Sequence, residues 1–229
     1  MPATPRHRPA TRKGRPVLTR EIIAAKALEM AGAQGFPSLT MRALAAELDV
    51  TVRALYNYVE DRGEVVALAV DLMLSSWNPP ALDPADWETS VADYARSLRA
   101  LYRRWPRALL VSLDEDTPPA SVHPNRLLNL DRFLRLLRDV GLDMPAALAA
   151  HRQLSLAVLS FALVVDGPAD RVGDDGKTLV PGHWLSAHAD LDIPTLREAA
   201  ALPLPTADEQ FDEAVAAVVA RIRDGLSAG

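Results

Sequence analysis

The chain contains no cysteine. Disulfides, thiolate metal sites and cysteine nucleophiles are therefore excluded, and a reducing compartment suits it. Aromatic residues are only 5% of a chain that is 49% hydrophobic, so any core must be filled mainly by Leu, Val and Ala. No segment shows the two-residue alternation of a strand, and no internal repeat is present. The first twenty residues are basic and lack the apolar stretch of a secretory signal. The longest apolar run, 154–165, covers 12 residues and is broken by Ser155 and Ser160. That is too short to span a bilayer, so no membrane partner is expected and a cytoplasmic location is.

Catalytic patterns are missing too. There is no Gly-rich phosphate loop, no G-x-S-x-G and no H-E-x-x-H. His123, His183 and His188 sit in loop-like stretches without metal-ligand spacing. His151 and Ser155 lie four apart on an apolar helix. They read as a core histidine beside a small hydroxyl rather than a base and its nucleophile. No catalytic residue, metal or cofactor is assigned, and the chain is not expected to be an enzyme.

Charge is present but unevenly placed. The net charge of −5 argues against wholesale affinity for nucleic acid. Yet residues 1–20 carry Arg6, Arg8, Arg12, Lys13, Arg15 and Arg20 with no acid. Residues 1–75 are net +2 and residues 76–229 net −7. A basic end on an acidic body orients a protein on DNA. Residues 1–17, rich in Pro, Arg and Thr, form no periodic element and read as a flexible basic arm that can follow phosphates.

Residues 39–62 carry the main signal. Thr40 is suited to cap a first helix, with Leu44, Ala45 and Leu48 on its inner face. Asp49-Val50 breaks the pattern. Thr51 caps a second helix in which Leu55 and Val59 point inward and Val52, Arg53, Tyr56, Asn57 and Tyr58 point outward. This is a helix-turn-helix, the second helix offering side chains to a groove. Hydroxyls at the two helix N-termini can meet phosphate.

Thr40, Arg42, Leu44, Ala45, Leu48, Val50, Leu55, Tyr56, Tyr58, Val59 and Arg62 form a pattern that closely resembles the DNA-binding module of TetR-family transcriptional regulators, from about Leu18 to Met73. The family usually has Gly in the turn. Asp49 stands there instead, and Asp tolerates the left-handed conformation. Glu60 and Asp61 add acid where phosphate should be close. The resemblance implies that Arg62 contacts phosphate and that the segment Arg12, Lys13 and Arg15 precedes helix 1 as in many members.

Along the chain, Thr19 caps a first helix with Ile22, Ile23, Ala27, Met30 and Ala31 inward and Gly35 at its end. Asp61-x-x-Glu64 reads as a capping box opening a helix with Val65, Leu68, Ala69, Leu72 and Met73 inward. Prolines at 79, 80 and 84 mark a boundary, giving an arm over 1–17, a DNA-binding domain over 18–76 and a second domain over 77–229. Helices are then expected over 87–104, 107–113, 125–140 (Leu127, Leu130, Leu134 and Leu137 inward), 144–165 and 208–226, with a short one near 194–201. Gly141 and Asp143 supply caps. Stretches 114–124 and 166–183 read as loops.

The second domain looks similar to the tetracycline-repressor branch. That likeness implies an effector pocket near Asn78, Tyr94, Leu98, Ser112, Phe133, Leu134, Leu148, His151 and Ser155. Magnesium-chelating members need a histidine and a carboxylate where this chain has Ser112 and Val164, so a metal-chelated effector is disfavoured. It also implies a four-helix dimer interface, here Leu159, Phe211, Val215, Val218 and Ile222. The size of a DNA half-site points to a dimer as well.

The expectation is an all-α protein: an N-terminal three-helix helix-turn-helix domain and a C-terminal helical ligand-binding and dimerisation domain. Its partners would be a double-stranded palindromic operator, a small apolar effector that releases it, and a second copy of itself. The alternatives are a ligand-dependent activator or co-repressor-type regulator of the same fold, and a helical enzyme with a vestigial DNA-binding head.

Overall fold

The computed structural model describes residues 11–12, 15–16, 18–110, 124–167 and 178–227. The fold is all-α. Its helices are α1 (Arg20–Gln34), α2 (Met41–Glu47), α3 (Val52–Leu55), α4 (Arg62–Ser75), α5 (Trp87–Arg104), α6 (Pro124–Asp139), α7 (Met144–Ser160), α8 (Gly182–Ala187), α9 (Pro194–Ala200) and α10 (Ala207–Ser227). Thr11–Arg12 and Arg15–Pro16 pair as a two-residue antiparallel ladder, where the sequence shows no strand period. The chain forms two compact units, Met1–Trp77 with Arg107–Arg126 and Asn78–Pro106 with Leu127–Gly229.

In the first unit α1 packs along α4. The buried face of α1 is Ile23, Ala24, Ala27, Leu28, Ala31 and Gly32. Ile22 and Met30 are only half-buried, one step off the inward set expected. In α4 the buried residues are Val65, Val66, Ala69, Val70 and Met73, and Leu68 and Leu72 lie at the edge. Val65, Ala69 and Met73 are inward as expected; Val66 and Val70 take the places expected of the two leucines because the shorter β-branched side chains fit closer to α1.

In the second unit α5, α7 and α10 pack on one another. Four residues of α10 expected at a dimer interface are fully buried: Phe211, Val215, Val218 and Ile222. Such burial is worth about 1.5–3 kcal/mol per large side chain. Thr206 and Glu209 form a reciprocal cap at its start. Glu209 N donates to Thr206 Oγ1 at 3.2 Å and Thr206 N to Glu209 Oε2 at 2.8 Å. Gly141 ends α6 with φ 115°, and Asp143 Oδ1 accepts from Ala146 N at 2.8 Å to open α7. The face of α6 differs from expectation. Asn129, Phe133, Leu136 and Leu137 are buried, while Leu127 is 63% exposed. Counting leucines missed Asn129 and Phe133, which complete the inward ridge.

Beyond α7 the helix continues as a π-turn, Phe161–Asp166. The stretch Met144–Asp166 is 23 residues, long and apolar enough to cross a membrane by length and composition. That corrects the expectation drawn from the 12-residue run. Serines break the run but not the helix: Ser160 Oγ bonds back to Ala157 O at 3.0 Å. A core or interface helix passes the same test, and this one carries Arg152 and ends on an ion-paired Asp166.

Candidate functional site

The helix-turn-helix is built by caps. Thr40 Oγ1 accepts from Ala43 N at 3.1 Å and opens α2. Thr51 Oγ1 accepts from Ala54 N at 3.2 Å and opens α3. Between them Asp49 takes φ 51°, the left-handed conformation that Asp tolerates. Leu44, Leu55 and Val59 fill the space beneath. Only Val52–Leu55 is α-helical in the second element. Tyr58 N then bonds Leu55 O at 2.8 Å, so the chain tightens before Val59. The result is a short helix ending on exposed side chains. Tyr56 is 52% exposed. Thr40, Arg42, Thr51, Arg53 and Asn57 are exposed as well, and Val52 and Tyr58 are half-buried.

Arg62 corrects an expectation. Its guanidinium faces inward and is spent on backbone. Nε donates to Leu39 O and Nη2 to Phe36 O, both at 2.7 Å. The side chain ties the start of α4 to the turn before α2. That turn is a 3-10 helix, Phe36–Ser38, and its Phe36 O also accepts from Leu39 N at 2.9 Å, so Arg62 takes the second lone pair of that carbonyl. The capping box also differs. Asp61 Oδ1 accepts from Glu64 N at 2.8 Å, but Glu64 reaches Glu60 N rather than Asp61 N. The Glu60 N–H, followed by the Arg20 guanidinium, holds the Glu64 carboxyl below its usual range. Arg20 also donates to Tyr58 O at 2.7 Å, so this cation locks α1 to the end of the reading element. Arg12 and Arg15 lie in the short ladder, and Lys13 is outside the described residues.

In the second unit three rings gather. The Tyr94 and Phe133 centroids are 4.4 Å apart, and those of Phe133 and His151 are 5.8 Å apart. Ser155 Oγ lies 3.3 Å from His151 Nε2. Burial pushes the Tyr94 phenol above its usual range, with Tyr102 adding to the shift. Burial also holds the imidazole of His151 below its usual value, so it is neutral at neutral pH. An uncharged imidazole among rings can give or take one hydrogen bond without a desolvated charge. Leu98 is buried and Leu134 half-buried. Leu148 is 43% exposed and Asn78 is exposed, so neither is enclosed within the unit. Val164 is 67% exposed, and Ser112 lies outside the described residues.

Residues 79–229 match the family model described as tetracyclin repressor-like, C-terminal domain, and residues 23–66 match bacterial regulatory proteins, tetR family. The chain belongs to the TetR family. It carries the helix-turn-helix domain of the family's regulatory proteins at residues 23–66. Among its relatives is the HTH-type transcriptional repressor DrrR1 of Streptomyces coeruleorubidus, 33% identical over 141 residues, or 61% of this chain and 51% of the relative. A second, an HTH-type transcriptional regulator of Saccharopolyspora erythraea, is 27% identical over 145 residues, 63% of this chain and 60% of the relative. The chain thus spans between half and three-fifths of the curated relatives it matches. Among solved structures, ActR of Streptomyces coelicolor in complex with (S)-DNPA is 25% identical with a TM-score of 0.62, covering 92% of this chain and 99% of that one. BioQ with its natural double-stranded DNA operator is also 25% identical, with a TM-score of 0.51, covering 69% and 93%.

The TetR-family chain departs from the expected dimer residues. Phe211, Val215, Val218 and Ile222 are buried inside the single chain, and Phe211 meets Phe161 edge to face at 5.2 Å. They build the protomer core because α10 turns its stripe toward α5 and α7. Leu159 is half-buried. The apolar surface left over lies on the other side of α7, where Leu156 is 60% exposed. Sequence reasoning also missed Arg99. It is buried, bonded to both oxygens of Asp166, to Ala207 O at 3.2 Å and to Asp208, with its charge 4.4 Å above the Phe211 ring. An arginine on an otherwise amphipathic helix gives no local signal of its partner 67 residues away.

Proposed function

We propose that this TetR-family chain is a repressor that binds a palindromic operator as a homodimer. A small, largely apolar molecule in the second unit releases it. The observation that carries this reading is the pairing of two features in one chain. One is the exposed Arg53–Tyr56–Asn57 surface on a capped helix-turn-helix. The other is the Tyr94–Phe133–His151 ring cluster in the segment that matches the ligand-bound ActR. DrrR1, a named repressor, and BioQ with its operator support the same direction. In this reading residues 1–17 are the arm, 18–76 the DNA-binding domain and 77–229 the effector and dimer domain. Arg53, Tyr56 and Asn57 read bases, while Thr40, Arg42, Thr51 and the arm's Arg12, Lys13 and Arg15 hold phosphate. Leu98, Leu134, Leu148 and Ser155 join the rings around the effector. The protein acts where the chromosome is, in the cytoplasm.

The dimer surface is reassigned to the outward side of α7, with Leu156 and Leu159, and of the π-turn, with Val164, beside Ala217 and Ala220 of α10, whose small side chains allow close approach. The release mechanism is tested with an operator selected from random duplexes. A candidate aromatic compound is titrated calorimetrically into protein with and without that operator. A coupling of ~1–3 kcal/mol would weaken the compound by 5- to 150-fold when operator is present. Equal affinity in both titrations would rule that compound out as the releasing ligand. Tighter binding with operator would favour the co-repressor alternative.

A further inference from the structure

A separate cleft of about 380 Å³ opens between the proline-rich segment 79–84 and helices α5 and α6. It lies wholly in the second unit. Asn129, Arg132, Leu136 and Asp139 follow one another at steps of three and four, so one face of α6 forms its floor. Pro79, Pro80 and Leu82 form the opposite wall, and Tyr94 closes one side. The wall is pinned rather than loose. Asp83 N donates to Ser90 Oγ at 2.9 Å, and Ser90 itself is buried in α5.

Asn129 is the informative residue. It is 5% exposed, yet its side-chain amide has no hydrogen-bond partner among the described residues. No unpartnered side-chain N or O atom is sealed from solvent. The amide therefore reaches the outside through the cleft that Asn129 lines. One turn along, the Arg132 guanidinium is exposed and has no acidic partner among the described residues. Arg135 also lines the cleft, but it is paired with Asp131 at 2.8 Å. Asp139 sits seven residues beyond Arg132, ~10 Å along the helix, too far to neutralise it.

We propose that this cleft is a second small-molecule site, which takes an elongated organic monoanion. The carboxylate sits between the Asn129 amide and the Arg132 guanidinium, and the apolar body lies along Leu136 against Pro79 and Pro80. A planar guanidinium with a neighbouring amide donor suits a carboxylate, and the volume suits a molecule of modest size. Tyr94 belongs to both regions. Its ring lines the cleft and lies tilted against Phe133, so an occupant here adjoins the ring cluster without entering it.

The test uses the full chain without DNA and two probes of equal shape, 4-phenylbutyrate and its neutral amide, 4-phenylbutyramide. Titration followed by ligand-observed NMR should show the acid binding at least tenfold tighter than the amide. Arg132→Gln, a substitution at an exposed position, should erase that preference. His151→Ala, which alters the ring cluster, should leave acid binding within twofold. Equal binding of the two probes, a preference that survives Arg132→Gln, or no binding of the acid at 10 mM would each overturn the site. Loss of acid binding in His151→Ala would place the acid in the ring cluster instead. That outcome would also overturn this proposal while leaving the regulator reading intact.

Discussion

Single residues divide here by what holds them. Arg53 is exposed on α3, whereas Arg62 is tied to two carbonyls of the turn before α2. Arg62→Ala should therefore act on stability first. Two charge-assisted hydrogen bonds lost from a half-buried site cost about 2–4 kcal/mol, read as a lower denaturant midpoint. Arg53→Ala should leave that midpoint unchanged and alter base preference at one position of each half-site, read by binding to a randomised operator library. His151 supplies a pH prediction. Burial depresses its folded-state value below the ordinary 6.5. Below that pH the unfolded chain binds the extra proton and the folded chain resists it, so stability present at pH 7.5 is lost as pH falls. Urea unfolding at pH 7.5 and 5.5 should show a larger drop for the parent than for His151→Asn. Thr40, Asp49 and Thr51 were legible in the sequence because caps and left-handed turns are local. The inward turn of Arg62 was not, since its acceptors lie 23 and 26 residues away.

At the scale of elements, the α5, π-turn and α10 junction turns on one buried cation. Arg99 joins Asp166 at the end of the π-turn to the first residues of α10. Removing one partner strands the other without water. Arg99→Met should cost about 3–5 kcal/mol, while Arg99→Met with Asp166→Leu should recover most of it, because an apolar pair leaves no charge unpaired. A thermal unfolding cycle of the two single variants and the double checks this. If the double variant is as unstable as Arg99→Met alone, the pair is not the source of the cost. Helix positions were readable from periodicity and caps across α1, α4, α5, α7 and α10. Helix faces were less so. In α6 a leucine-only stripe points away from the face that packs, and in α4 Leu68 and Leu72 fall at its edge, because Val, Ala, Phe and even Asn can fill a close interface.

For the whole molecule the same issue of faces decides the proposed assembly. Val218 is buried within one chain, and Leu156 is 60% exposed. Val218→Asp should unfold the protomer itself, at a cost of several kcal/mol for an unpaired buried carboxylate. Leu156→Asp should keep a cooperative, parent-like unfolding curve at low concentration yet sediment as a monomer where the parent should sediment as a dimer. A Leu156→Asp protein that still sediments as a dimer would move the interface off this side of α7. The amino-acid sequence alone determined the all-α class, the capped helix-turn-helix and the absence of thiol chemistry. Each follows from residue types and spacings within one or two turns of chain. The tertiary structure alone decided which side of α10 is core, that Arg62 supports the fold, and that Arg99 meets Asp166. It also decided that Asn129 opens on a cleft. All four depend on neighbours brought from distant parts of the chain, and periodicity carries the phase of a helix but not the identity of what packs against it.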